Sequence, residues 1–421
     1  MIKAGAGKAD ISLPQSVFPI EDYSGVHDGL KARVLILESG FRFVLAVLDL
    51  TSLRDYALRE LREMIEERTG AEKDHIWICV SHTFSAPHLR SEEALRRGGE
   101  DVVRKNRILM ECLKSGLGTA LKQAMENLGP VTMGYGLGYC PVNVNRDVPT
   151  KEGWWLGANW TGFSNKGLPV LRFDRPDGRT AALVYSCDVQ SSVMDHSFLE
   201  DGTRLVSGDL AGAASRFLEE SREEDFVALF VTGAAGDQAP VLQAGGKDHD
   251  DLGLGGFSLV HALGQALAVQ AALAAEKAAP IPWNGPVCIK SGFCQCQGQK
   301  GAKAPGDIRP AIRFQYEPDG CRTVSIGILC LEDIAMIGVG PELCSITAEE
   351  IRKQSPFPFT MVFTMVNGAE KYMPEQTAYD RITYEAMNSG FARGSAERLT
   401  NRITELLLEA RREQEERRKY P

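Results

Sequence analysis

His82 and His88 sit in Ser81-His82-Thr83-Phe84-Ser85-Ala86-Pro87-His88, directly after the apolar run Ile76-Trp77-Ile78-Cys79-Val80. That run reads as a buried strand. An imidazole at its end has a fixed direction and limited access to water, which suits a metal ligand or a general base. The same pattern, a buried run ending in a polar loop marked by glycine or proline, recurs at Asp188, Asp237, Glu342 and residues 367–372. The carboxyl ends of strands are where open α/β sheets bind ligands. Five such endings therefore point to a shared rim. The competing reading is structural: a histidine satisfied in the core, or a carboxylate capping a helix. Asp209 and Glu342 could both cap, at a gain of roughly 0.3–1 kcal/mol each.

The chain of 421 residues is 43% apolar and 24% charged, the proportions of a soluble globular protein with a large core. A net charge of -9 and a pI near 5.5 oppose a nucleic-acid surface, which needs clustered Lys and Arg. The expected partner is a small-molecule substrate. The N-terminus lacks a basic-then-apolar profile, and no apolar stretch is expected to reach the roughly 18 residues that span a membrane. Ten cysteines over this length form no disulfide framework, so a cytoplasmic location is expected. Cys294 and Cys296 read as neighbours on one face of a strand. The oligomeric state is left open.

Alternation and punctuation place the elements that carry these residues. A strand or turn at 5–11 and a hairpin of 30–37 with 41–50 precede a helix over 52–69, the strand 76–80 and a helix over 100–127. A strand over 131–137, a polar loop at 143–147 and a hairpin of 168–173 with 180–187 follow. Next come a helix over 209–219, a strand over 226–231, a surface loop over 244–256 and a helix over 257–276. Beyond Pro280 the texture changes. Strands are expected over 285–297, 311–316, 322–330, 334–339 and 359–366, with a loop over 298–310, a helix to Lys353 and a closing helix over 395–418. The expected fold class is α/β: one catalytic unit over 1–421 with mixed β-sheets flanked by helices, any subdivision falling near 280.

In order along the chain, several short motifs resemble the neutral/alkaline ceramidases and their bacterial relatives. They are Gly5-Ala6-Gly7-Lys8-Ala9-Asp10-Ile11, Gly25-Val26-His27-Asp28, Val47-Leu48-Asp49-Leu50 and Ser81-His82-Thr83-Phe84-Ser85-Ala86-Pro87. Asn143-Val144-Asn145-Arg146, Ser207-Gly208-Asp209, Gly236-Asp237-Gln238-Ala239-Pro240, Gly340-Pro341-Glu342 and Tyr372 complete the set. The resemblance implies a fold like the N-terminal domain of that family and a zinc amidase chemistry. It implies metal ligation by His82, Glu342 and Tyr372, with Asp188 in the place of a second histidine and His196 as the alternative. A carboxylate binds zinc at about the distance an imidazole does, and its extra charge shifts preference somewhat toward Mn2+ or Mg2+. The family's C-terminal β-sandwich is expected to be missing.

Two departures shape the expected reaction. Phe84 stands where the family has a second histidine of its His-Thr-His pattern, and Ala239 stands where it has a serine. A methyl group cannot attack a carbonyl, so a covalent serine mechanism there is excluded. Metal-activated water remains, since a bound zinc lowers the pKa of its water to roughly 7. Asp237 could orient that water or act as base, the amides of residues 233–236 could hold an oxyanion, and Arg146 could bind the substrate by paired hydrogen bonds. His88 could contact substrate. The expectation is a hydrolase of a small polar amide, lactone or ester and not of ceramide. The alternatives are a metal-dependent isomerase or epimerase of a sugar acid, or a descendant that only binds.

Overall fold

Three strand–helix–strand units organise the chain. They are Arg42–Leu48, Asp55–Thr69 and Ile76–Val80; Thr180–Cys187, Asp209–Glu220 and Val227–Thr232; and Ile334–Val339, Ser345–Gln354 and Phe359–Phe363. In each the two strands pair in parallel, which requires the intervening crossover. The register aligns Leu48 with Val80, Cys187 with Thr232 and Gly338 with Phe363, so each pair ends level. The computed structural model describes residues 2–223, 225–245, 252–283, 287–301 and 308–419, with side chains to 417.

Antiparallel strands complete three mixed sheets. The first adds Leu30–Glu38, Lys3–Ile11 and Gly129–Pro130 beyond Arg42–Leu48. The second adds Gly167–Asp174, Thr132–Tyr139 and Ala279–Ile281 beyond Thr180–Cys187. The third adds the long hairpin Cys288–Gln299 and Pro318–Leu331 beside Ile334–Val339. Mixed sheets flanked by helices are the α/β architecture expected from the sequence.

The apolar runs are continuous because both faces of these strands are covered. Val44, Ala46 and Leu48 pack toward helices Asp55–Thr69 and Glu100–Glu126, whereas Phe43, Leu45 and Val47 pack toward the other two sheets. All three sheets meet in that central cluster, where residues from both sides of position 280 mix. Trp77 is its largest side chain and stands edge-on to Phe43. A Cβ at Gly327 would lie 2.8 Å from the indole and one at Gly338 3.3 Å, so glycine at both sites is what lets the third sheet close over it.

Several expectations are corrected. Residues 143–147 are not a loop but the start of the strand Asn143–Thr150, paired with Gln238–Pro240 and Gly153–Asn159. Its polarity misled because its asparagines are buried with their hydrogen bonds made, Asn143 Nδ2 to the Asp188 carbonyl at 2.7 Å and Asn145 Nδ2 to Asp237 at 2.9 Å. Residues 311–316 form no strand; Tyr316 instead packs on Tyr379. The first crossover helix begins at Asp55, not 52. Contrary to expectation, one helix among the described residues, Gly253–Glu276, is long and apolar enough to cross a membrane by length and composition, with mean hydropathy 1.4. In the structure Leu267, Ala268 and Ala271 of this helix are buried in the core of the second sheet. Parts of the expected loops 244–256 and 298–310, and the start of strand 285–297, lie outside the described residues.

Candidate active site

The three level strand ends open onto a cavity of about 1240 Å³ whose wall includes Thr51, His82, Arg146, Gln190, Glu342 and Tyr372. The loops that carry this wall are held in left-handed backbone at non-glycine residues. His82 has φ 57°, Met365 58°, Asn367 55° and Lys371 63°. Such conformations cost of order 1–3 kcal/mol each and persist where surrounding structure over-determines them, commonly at functional sites.

One corner is built from side chains that come from distant segments. His82 Nδ1 donates to the Thr51 carbonyl at 2.7 Å, and Nε2 lies 3.2 Å from Glu342 Oε1. Gln190 Nε2 donates to the same oxygen at 2.7 Å, and its Oε1 accepts from Arg146 at 2.8 Å. Arg146 Nε donates to Glu385 Oε1 at 2.7 Å, and its guanidinium lies 5.3 Å from the ring centre of Tyr372 and 5.7 Å from that of Tyr384. Glu342 and Tyr372 are fixed side by side on two short parallel strands, with the Glu342 amide donating to the Lys371 carbonyl at 2.8 Å.

Electrostatics separate the acids of this corner. Burial alone would raise Glu342, but His82, Arg146 and Gln190 outweigh it and hold the carboxyl below its usual range. Burial pushes His82 down, yet Glu342 and the Thr51 carbonyl leave it raised. Burial drives the Tyr372 phenol well upward, so it keeps its proton at neutral pH. Burial and the adjacent Glu385 push Asp147 up to about 10, so Asp147 keeps its proton at neutral pH. The ion-pair partner of Arg146 is Glu385.

Asp188 and Asp237 do not join this corner. Val189 N donates to the Cys187 carbonyl at 2.9 Å, a tight γ-type turn that sends Asp188 behind the wall. There it accepts from Ala234 N at 2.9 Å, Ser345 Oγ at 2.9 Å and Arg352 at 3.4 Å. The side chain that this loop delivers to Glu342 is Gln190, two residues on. Asp237 accepts from Ser345 N at 2.8 Å and from Asn145, and so braces the start of helix Ser345–Gln354. The amides of Gly233, Ala234 and Gly236 already donate to Cys187, Asp188 and Leu343, which leaves none of these three for an oxyanion.

His88 and His196 are on the cavity wall but outside the corner. His88 pairs with Glu21 at 3.1 Å, and the side chain of His196 is 77% exposed beside Asp195. Ala239 also lines the cavity. Sequence reasoning missed Gln190, Tyr384 and Glu385. Only the first had a signal, its place in the strand-end loop after Asp188; the other two lie on a short helix whose position only the fold supplies.

A metal ion is implied by the resemblance, and the donor chemistry tests the fit. With its Nδ1–H committed to a carbonyl, neutral His82 turns a lone pair toward the carboxylate of Glu342 at 3.2 Å. Two electron-rich atoms face each other unless a proton or a cation sits between them. This orientation, a carbonyl fixing the far nitrogen of a ligating histidine, is the common outer-shell arrangement of metal sites. His82 and Glu342 thus fit a divalent ion. Among the described residues no third His, Cys, Asp or Glu joins them, so further protein donors would be Tyr372 and Gln190 on the same wall.

The fold is that of the neutral ceramidases. The chain superposes on the crystal structure of neutral ceramidase from Pseudomonas aeruginosa with a TM-score of 0.77 at 17% identity, covering 98% of this chain and 75% of that one. A ceramidase complexed with C2 gives a TM-score of 0.76 at 16% identity and the same coverage. No protein-family model and no curated protein matches the chain.

Proposed function

We propose that this protein is a metal-dependent hydrolase of small polar amides, lactones or esters, with water as nucleophile. One observation carries the reading: both ring nitrogens of His82 face oxygen acceptors, with the Glu342 carboxylate across from Nε2. His82 and Glu342 would hold the ion, zinc or else Mn2+ or Mg2+, with Tyr372 as a further oxygen donor. When bound, such an ion polarises a carbonyl and makes water nucleophilic at neutral pH.

The chain's own groups do the rest. Gln190 fixes Glu342 and is itself fixed by Arg146, so the corner is rigid before substrate arrives. Arg146 keeps its charge between the two tyrosines and can stabilise negative charge developing on the substrate oxygen. The Tyr372 phenol keeps its proton and can donate to that oxygen. Ala239 offers no nucleophile. The ceramidase fold supports hydrolysis, whereas the cavity wall argues against a long acyl chain. It carries Arg54, Asp55, Arg59, Glu370 and Lys371, whose desolvation by hydrocarbon would be costly.

Metal analysis of purified protein, together with turnover of 4-nitrophenyl acetate, tests this. The expected result is a bound divalent ion that His82→Ala loses, with activity falling more than about 100-fold. Protein that neither holds nor responds to a divalent ion would end the reading.

A further inference from the structure

The third sheet carries two thiols set opposite each other. Cys288 opens the edge strand Cys288–Gln299, and the antiparallel register places it across from Cys330 on Pro318–Leu331. Directly opposed residues put their side chains on the same face of a ladder, with Cα atoms about 4.5–5.5 Å apart. That separation lies inside the about 4.4–6.8 Å that a disulfide spans. Both cysteines are free thiols, buried in one cluster with Leu407 and Ala410 of the closing helix Ser395–Lys419.

The two thiols are not equivalent. Cys330 donates its S–H to the Cys288 sulfur, which outweighs burial and holds the Cys288 thiol below its usual range, with Arg417 and Lys290 assisting. Cys330, as the donor, is held well above its own. The thiolate is the reactive form, so Cys288 is suited to meet an oxidant and Cys330 to resolve the product. No other cysteines face each other across a ladder among the described residues. Cys294 and Cys296 have sulfurs 3.7 Å apart, but they lie two residues apart on one strand. Their Cα atoms are thus about 6.6 Å apart, near the limit for a bridge. Burial alone drives Cys79 upward and is the leading cause at Cys187 and Cys344 as well.

We propose that Cys288 and Cys330 form a reversible oxidation site, which hydrogen peroxide or a similarly small peroxide converts to a disulfide. The Cys288 thiolate attacks one peroxide oxygen, the O–O bond breaks, and the departing hydroxide takes a proton to become water. Cys288 is then a sulfenic acid. The Cys330 sulfur attacks the Cys288 sulfur, and its proton leaves with the hydroxyl as a second water. Two electrons pass from the thiols to the peroxide. Cys288 begins an edge strand, so parting of that strand end is enough to admit a molecule of this size. The bridge would tie the edge strand to Pro318–Leu331, where Cys330 also lies opposite Ala335 on the strand that runs toward Glu342. Oxidation would therefore brace the sheet that frames the candidate active site, whatever reaction that site performs.

The test uses the full chain with Cys321→Ser, which removes the exposed thiol and its intermolecular cross-links. The folded protein is treated with one equivalent of hydrogen peroxide, its thiols are titrated, and linked peptides are mapped without reduction. Two thiols should be lost per chain, a peptide joining Cys288 to Cys330 should appear, and dithiothreitol should restore both. With Cys330→Ala, Cys288 should stop at the sulfenic acid and be trapped by dimedone. With Cys288→Ala, oxidation of Cys330 should slow by about 10-fold or more. The mapping requires no substitution at either cysteine, so it decides the matter even if a variant fails to fold. Linkage first at Cys294 and Cys296 or at any other pair would overturn the site. So would Cys288 and Cys330 reacting no faster than Cys79 and Cys187.

Discussion

Glu342 and Asp188 are both fully buried carboxylates just past the ends of core strands, yet they behave in opposite ways. At Glu342 an imidazole and a guanidinium outweigh burial and hold the carboxyl below its usual range, and the donors to it are side chains. At Asp188 burial wins over Arg352 and the carboxyl is raised, while a backbone amide and a serine occupy its oxygens. The first faces a cavity; the second stitches three segments together. Position at a strand end therefore does not distinguish chemistry from bracing. What distinguishes them is whether the oxygens are already taken by groups that cannot leave.

The comparison predicts a crossed pair of outcomes. Glu342→Gln keeps the side-chain volume and the Gln190 contact, so it should fold. On the proposed reading it should nevertheless abolish binding of a divalent ion and lower kcat/KM by more than about 100-fold. Asp188→Ala should do the reverse. Leaving Ala234 N, Ser345 Oγ and Arg352 without their shared acceptor should cost about 3 kcal/mol in chemical denaturation. Activity per folded molecule should stay near the parent's. A folded, metal-free and inactive Asp188→Ala would erase the distinction and return Asp188 to the ligand set.

Asp237 sharpens the same contrast through pH, with a smaller effect. Burial raises it from 3.8 to about 7, so between those values the folded state binds a proton that the unfolded state has released. Stability contributed at this site is therefore greatest below pH 4 and declines as pH rises to 7. Urea midpoints of the parent relative to Asp237→Asn should fall across that window. A difference that is flat or rises with pH would place Asp237 in a solvated or ion-paired setting instead.

Much of this architecture could be read from the chain before folding. Runs such as 76–80 and 226–231 are apolar at every position because two cores flank them, and Gly70 stops its helix by taking the left-handed cap. His82, Glu342, Tyr372 and Arg146 were all picked out, and all line one cavity. Direction was not legible. One hydrogen bond from Val189 to Cys187 exchanges the roles of Asp188 and Gln190, and no periodicity encodes it. Asn143–Thr150 looked like a loop because its polar groups find their partners only in segments far along the chain. Glu385, which sets the charge balance of Arg146, has no motif at all.

Trp77 offers a practical handle on assembly. Its indole is clasped by glycines that arrive with the last third of the sequence, after the strand bearing it has its own neighbours. In a chain whose other four tryptophans are replaced by phenylalanine, its fluorescence should shift when the third sheet seats, and that same packing step brings Glu342 to His82.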